Sequence, residues 1–209
     1  MFAPGASRYL GAVVALVLLV VVLVALHVFA FGWFPIAVLV VLLGLGGFFG
    51  WFFRDPERAP GTGIVSAADG RVRAVSLEGE RWRISVFMNV TDVHVNRFPW
   101  AGRVRSVSDA GQGFRPAYVP EAEHNVQRHY VVDTSLGEVE IVQMTGIVAR
   151  RLVSLVHAGD ERAKADRLGL IVLGSRVDVL LPRARARPTV NVGDRVRAGA
   201  STIADEVVA

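Results

Sequence analysis

Hydrophobic and polar positions divide this 209-residue chain into two unequal parts. Across residues 9–53 there is no Asp, Glu, Lys or Arg, and His27 alone could carry a positive charge. That run is about twice the ~20 residues one membrane-spanning helix needs. Phe31-Gly32-Trp33-Phe34-Pro35 interrupts it, with Gly and Pro as helix punctuation and Trp as an interfacial anchor. The pattern predicts two helices, about 9–30 and 35–53, forming an N-terminal membrane hairpin over residues 1–53. Arg8 precedes the pair, Arg54 and Arg58 follow it, and the turn carries neither Lys nor Arg. The positive-inside rule then puts both ends in the cytoplasm, with the soluble domain on that side of the cell membrane. A cleaved signal peptide is not expected, because a second apolar run follows at once. The apolar turn leaves open whether the hairpin spans the bilayer or dips into one leaflet.

After residue 53 the pattern changes to short β-type runs. Residues 54–61 are a proline-punctuated linker, and 64–75 read as strand, Asp69-Gly70 turn, strand. Residues 81–89 have the pattern of a core strand, 100–108 of another. Residues 111–129 lack a period and read as a long loop. A hairpin is predicted from 130–133 and 138–143 around Ser135-Leu136-Gly137, while 146–156 fit helix or strand. Residues 168–182 are two apolar β-runs interrupted at Gly174-Ser175-Arg176. The segment 189–203 reads as strand, turn, strand with a cadence like that of 64–75, so the two are candidates for paired hairpins. The fold class is therefore α+β and mostly β. A compact sandwich or barrel-like domain over 54–209 would stand behind the two-helix hairpin.

Composition removes several chemistries. The absence of Cys excludes disulfides, Cys-ligated zinc and a thiol nucleophile. The net charge of +4 is almost all Arg on its basic side, with Lys164 the single lysine. No dense basic run with interleaved aromatics occurs, so nucleic acid is not an expected partner, and mild attraction to anionic lipid fits better. His124 and His129 lack ligand spacing with a nearby acid, so no metal site is expected. On local pattern alone Gly174-Ser175 is a β-bulge, although a Ser held there could attack its own preceding carbonyl. Asp69 is by itself a turn residue. His94 lies between Val93 and Val95 as a packed histidine, with Asp92, Asn96 and Arg97 nearby in sequence.

Five segments taken together carry more. They are Phe53-Arg54-Asp55-Pro56, Ala68-Asp69-Gly70-Arg71-Val72, Asp92-Val93-His94-Val95-Asn96-Arg97, Thr145-Gly146-Ile147-Val148-Ala149-Arg150-Arg151 and Gly169-Leu170-Ile171-Val172-Leu173-Gly174-Ser175-Arg176-Val177-Asp178. In this order and spacing the set resembles the phosphatidylserine decarboxylase family, in its short, archaeal-type branch. The resemblance implies a proenzyme that cuts itself between Gly174 and Ser175 into a β-chain (1–174) and an α-chain (175–209). It further implies that Ser175 becomes a covalent pyruvoyl group, the cofactor that takes the substrate amine as a Schiff base during decarboxylation of phosphatidylserine to phosphatidylethanolamine. Asp69 is then implied in self-processing and His94 in proton transfer. Arg97, Arg128 and Arg176 become candidates for holding the anionic substrate. The chain departs from the family in two places. Arg97 stands where larger bacterial members have a second His, and Val126-Gln127-Arg128 replaces an Asn-Glu-Arg run. The implied partners are the membrane phospholipid and the two chains of one proenzyme, with a dimer of these as a further expectation. The alternative is a non-catalytic, membrane-anchored β-domain related to biotinyl or lipoyl carriers, acting as a scaffold or adaptor. Such carriers modify a Lys at a hairpin turn, and no Lys stands there.

Overall fold

The computed structural model describes residues 7–25, 34–113, 115, 124–146, 151–172 and 175–207. The chain forms two units, Met1–Pro56 and Glu57–Ala209. The first holds α1 (Ser7–Ala25) and α2 (Phe34–Phe52), which pack on one another. Gly46 faces α1 at the contact, where an added Cβ would meet Val13 Cγ1 at 3.4 Å. Val14, Leu18, Ile36, Val40 and Leu43 are exposed. At the end of α2 the Arg54 guanidinium lies 4.0 Å over the Trp51 ring and donates to the Trp51 carbonyl at 2.9 Å. Each helix has 19 residues, about 28 Å of rise against a hydrocarbon core of ~30 Å. Among the described residues no helix is long and apolar enough to cross a membrane. Two apolar helices are present, as expected, and the predicted end of the first near residue 30 lies outside the described residues. The expected turn falls within residues 26–33, outside the described residues.

The second unit is mostly β, as the sequence predicts. Its strands are β1 (Ile64–Val65), β2 (Gly70–Glu78), β3 (Arg81–Met88), β4 (Val95–Arg97), β5 (Gly102–Ala110), β6 (Gln127–Thr134) and β7 (Gly137–Thr145). Then come β8 (Arg151–Ser154), β9 (Glu161–Arg162), β10 (Arg167–Val172), β11 (Ser175–Pro182), β12 (Ala186–Pro188), β13 (Arg195–Val196) and β14 (Thr202–Glu206). An eight-stranded sheet runs in the order β13-β2-β3-β11-β7-β6-β5-β9, beside two three-stranded sheets, β1-β14-β12 and β4-β10-β8. The large sheet is antiparallel, and among the described residues its end strands β13 and β9 are not paired with one another.

Alternation along β11 fixes which face is the core. Val177, Val179 and Leu181 join Ile84, Val86, Tyr130, Val132, Val139 and Ile141 in the main cluster, while Leu180 sits on the other face with Val142 and Met144. By the two-residue period Ser175 points to the core face and Arg176 away from it.

Two expectations are corrected. The segment 64–75 is not a hairpin, because β1 pairs with β14 and β2 pairs with β3 and β13. Gly70 has a φ of 148°, and a Cβ there would lie 2.0 Å from the Phe87 carbonyl oxygen. That glycine serves a close backbone approach rather than a hairpin turn. The segment 189–203 likewise separates into β13 and the start of β14, in different sheets. The two segments do pair with each other, crosswise, strand for strand.

Candidate active site

Ser175 opens β11, in register with Met88 of β3 on one side and Thr145 of β7 on the other. It is wholly buried, and its Oγ donates to Met88 Sδ at 3.3 Å. The preceding strand, β10, belongs to another sheet and ends at Val172. Gly174, on the other side of the expected cleavage bond, lies outside the described residues. Position 175 therefore marks where the chain passes from one sheet into another. A break just before it removes no ladder pair that the described residues make.

His94 immediately precedes β4 and is fully buried. Its Nδ1 lies 2.9 Å from the Asp92 carbonyl oxygen. A carbonyl can only accept, so Nδ1 carries the proton and the buried Nε2 is the basic nitrogen of the neutral ring. The loop before it is fixed by Asp92, whose Oδ2 accepts from the Asn89 amide at 2.8 Å and whose Oδ1 accepts from Arg195 at 3.1 Å. β4 pairs with β10, Val95 opposite Leu170, and the Ile171 amide donates to the His94 carbonyl at 3.2 Å. The structure thus ties His94 to the strand that leads into Ser175.

Asp69 lies just before β2. Arg71, Phe87 and Arg176 form one row across β2, β3 and β11. Asp69 and Ser175 therefore stand at the same end of the sheet, roughly 10 Å apart across two strand spacings. The Asp69 carboxylate takes a bidentate grip from Arg58, at 2.5 and 2.8 Å, and its Oδ1 also accepts from the Ala198 amide at 2.8 Å. Both side chains are nearly buried, so the pair fixes a charge where desolvation would otherwise cost heavily.

The three candidate arginines occupy different environments. Arg97 is buried, donates to the Ala165 carbonyl at 3.1 Å and packs its Cδ where a Cβ on Gly199 would come within 2.9 Å. Arg176 grips Asp178 through two bonds of 2.7 and 2.6 Å on the face away from the core. Arg128 is paired across strands with Asp109 at 2.6 and 2.7 Å and also donates to the Leu152 carbonyl at 3.3 Å. Asp109 is the more exposed partner, 61% against 21% for the Arg128 side chain. Each partner strengthens the other's charge, the hydrogen bond lowering the Asp109 carboxyl and raising the Arg128 guanidinium. His129 has both ring nitrogens engaged, Nδ1 with Glu140 at 2.7 Å and Nε2 with Gln127 at 3.0 Å. Among the described residues no cluster of three His, Asp or Glu is placed to hold a metal ion.

The sequence alone did not point to Arg58 or Met88. Arg58 reaches Asp69 across 11 residues and Met88 reaches Ser175 across 87. A Met in an apolar strand reads as core, and a linker Arg reads as solvated.

Residues 45–204 match the family described as phosphatidylserine decarboxylase. This chain belongs to the phosphatidylserine decarboxylase family. Over 166 residues it is 47% identical to a phosphatidylserine decarboxylase proenzyme of Thermobifida fusca strain YX, covering 78% of this chain and 75% of the relative. A Halobacterium salinarum protein, provisionally named archaetidylserine decarboxylase proenzyme, is 46% identical over 169 residues, covering 79% and 84%. A phosphatidylserine decarboxylase proenzyme of Streptomyces avermitilis is 43% identical over 155 residues, covering 73% and 72%. Membership in this decarboxylase family favours an enzyme over the scaffold alternative.

Proposed function

We propose that the chain is a phosphatidylserine decarboxylase proenzyme whose Ser175 becomes a pyruvoyl group, and that the mature protein converts phosphatidylserine to phosphatidylethanolamine and CO2. The observation that carries this reading is Ser175 itself, buried at the head of β11 at a junction between two sheets. In self-cleavage the Ser175 Oγ attacks the carbonyl carbon of residue 174. A C–O bond forms, the C–N bond breaks and the hydroxyl proton ends on the freed amine. Loss of the Ser175 α-hydrogen then expels residue 174 as a carboxylate. Water replaces ammonia on the remaining three-carbon unit, leaving the ketone.

The site fits such a group. Its precursor begins a strand, so the eight residues of β11 keep their ladder after the cut, and Ser175 and its cross-strand neighbours Met88 and Thr145 are fully buried. The bound ketone supplies an electron sink that unmodified side chains lack. With its ring oriented by Nδ1–H on the Asp92 carbonyl, His94 presents basic Nε2, which takes up a proton to give the imidazolium and then delivers it to the substrate carbon that loses CO2. Asp69, locked by Arg58, serves self-processing through the charge it fixes beside this end of the sheet. Arg128 is the candidate contact for the headgroup phosphate, because its partner Asp109 is exposed and can yield it. Arg97 and Arg176 are assigned to holding Ala165 and Asp178.

The N-terminal pair of apolar helices acts as the anchor to the cell membrane, with the β unit on the cytoplasmic side. A lipid substrate that scarcely dissolves favours an enzyme tethered at the interface. The experiment is CO2 release from serine-labelled phosphatidylserine vesicles by the purified full-length protein. Release by the cleaved form supports the function; a cleaved protein that releases none contradicts it.

A further inference from the structure

Four buried side chains that the chemistry above does not use form, with Ser175, one polar line through the core. The Tyr130 hydroxyl donates to Gln143 Oε1 at 2.9 Å, and Gln143 Nε2 donates to Asn96 Oδ1 at 2.7 Å. Asn96 Nδ2 lies 3.6 Å from Met88 Sδ, the same sulfur that accepts from Ser175 Oγ. The five residues come from β6, β7, β4, β3 and β11, and every one is at 0% exposure. Burying an amide is costly unless its hydrogen bonds are made, so a core that needed only volume here would be filled by apolar residues. Gly169 of β10 is bare where the line passes. A Cβ there would lie 3.1 Å from Gln143 Nε2, 3.3 Å from the Tyr130 hydroxyl and 2.5 Å from the Val153 carbonyl oxygen.

The line has a direction. Burial pushes the Tyr130 phenol up, so it stays protonated and donates its one proton. That donation fixes the Gln143 amide with its NH2 toward Asn96, and this in turn fixes the Asn96 NH2 toward Met88. A thioether is a weak acceptor that cannot itself be protonated. It can therefore orient the Ser175 hydroxyl without holding the proton that must leave Oγ.

We infer that Gln143 and Asn96, with Tyr130 behind them, are positioning residues for self-cleavage. They hold Met88 Sδ where it sets the Ser175 hydroxyl for attack on the preceding carbonyl. The inference rests on the reading of Ser175 as the self-cleaving nucleophile, and it deepens that reading by naming what aims it.

The test is a time course of self-cleavage of the full chain, made by cell-free translation into lipid vesicles and read on gels across pH. The central variant is Gln143→Glu. A protonated carboxyl can accept from Tyr130 and donate to Asn96, whereas an ionised one cannot donate. Burial raises the carboxyl's pKa, bringing this change toward neutral pH. The ratio of variant to wild-type rate is expected to fall about tenfold as pH rises through that range. Taking the ratio cancels the titration of His94, Tyr130, Arg128 and Asp109, which both proteins share. Met88→Leu keeps the volume without the acceptor and is expected to cleave about tenfold more slowly. Tyr130→Phe removes only the far hydroxyl and guards against a misfolded Gln143→Glu; it is expected to cleave about threefold more slowly. A rate ratio flat with pH, or Met88→Leu and Tyr130→Phe cleaving at the wild-type rate, overturns the inference alone. A wild-type chain that never cleaves overturns the Ser175 reading, and the inference with it.

Discussion

The Ile171 amide donates to the carbonyl oxygen of His94 at 3.2 Å. This backbone bond joins the segment that carries the histidine to a strand residue four positions before Ser175. Because it uses no side chain, neither residue's identity is needed to make it. Backbone pairing thus sets the spacing between His94 and Ser175, the proposed proton carrier and reacting position, without using either side chain.

His94→Ala should therefore leave the β4–β10 ladder intact. The variant is expected to self-cleave yet release CO2 at least about 100-fold more slowly than wild type, the lower range for loss of a general acid–base. Gel analysis beside a CO2 assay checks both halves. Full activity in the variant would remove His94 from the mechanism.

Arg58→Ala leaves the Asp69 carboxylate with the Ala198 amide in place of a bidentate arginine. Breaking a nearly buried pair on one side is expected to destabilise the domain by about 3 kcal/mol, measured by denaturant unfolding of an uncleavable Ser175→Ala background. Arg58→Ala with Asp69→Asn should recover part of that loss, since the stranded charge is gone. Equal stability of Arg58→Ala and its parent would make the pair energetically idle.

Much of this was legible in the sequence. Apolar alternation with turn residues marks β3, the β6–β7 hairpin and the two runs that become β10 and β11, because that pattern is local even where, as for β10 and β11, the strands join different sheets. Asp69-Gly70 reads as a hairpin turn because turn chemistry is local, while strand partners are not. β1 finds its partner in β14, at the far end of the chain. The same limit hides the site's supports. His94 and Ser175 stand out by type and company, but Gln143, Asn96 and Met88 become a line only when β7, β4 and β3 are packed.

The outer face of the large sheet gives a pH prediction. The Glu140 carboxyl is held below its usual range first by its hydrogen bond with His129, against the opposing effect of burial, with Arg81 adding to the lowering. A carboxyl depressed in the folded state contributes stability that is present above its unfolded pKa of about 4.3 and is lost as pH falls through the folded value. Glu140→Gln should thus cost stability near neutral pH, and the gap to wild type should close below about pH 4. Denaturant midpoints over a pH series measure this. A gap that widens on acidification would contradict it.

Arg128→Ala should separate binding from chemistry. If Arg128 meets the headgroup phosphate, the apparent KM for vesicle phosphatidylserine should rise about tenfold or more, with self-cleavage unchanged. Arg128→Lys should recover only part, because one ammonium cannot replace the planar fork. An unchanged KM in Arg128→Ala would restrict the residue to its pairing with Asp109.

The central claim is that Ser175 is consumed to make the electron sink, and the most direct measurement is the intact mass of the purified protein's fragments. The account predicts two pieces, 1–174 and 175–209. The smaller should be lighter than its serine-started sequence by the mass of one ammonia, and Ser175→Ala should remain a single chain. A wild-type protein that stays whole, or a 175–209 fragment that begins with unmodified serine, would contradict it.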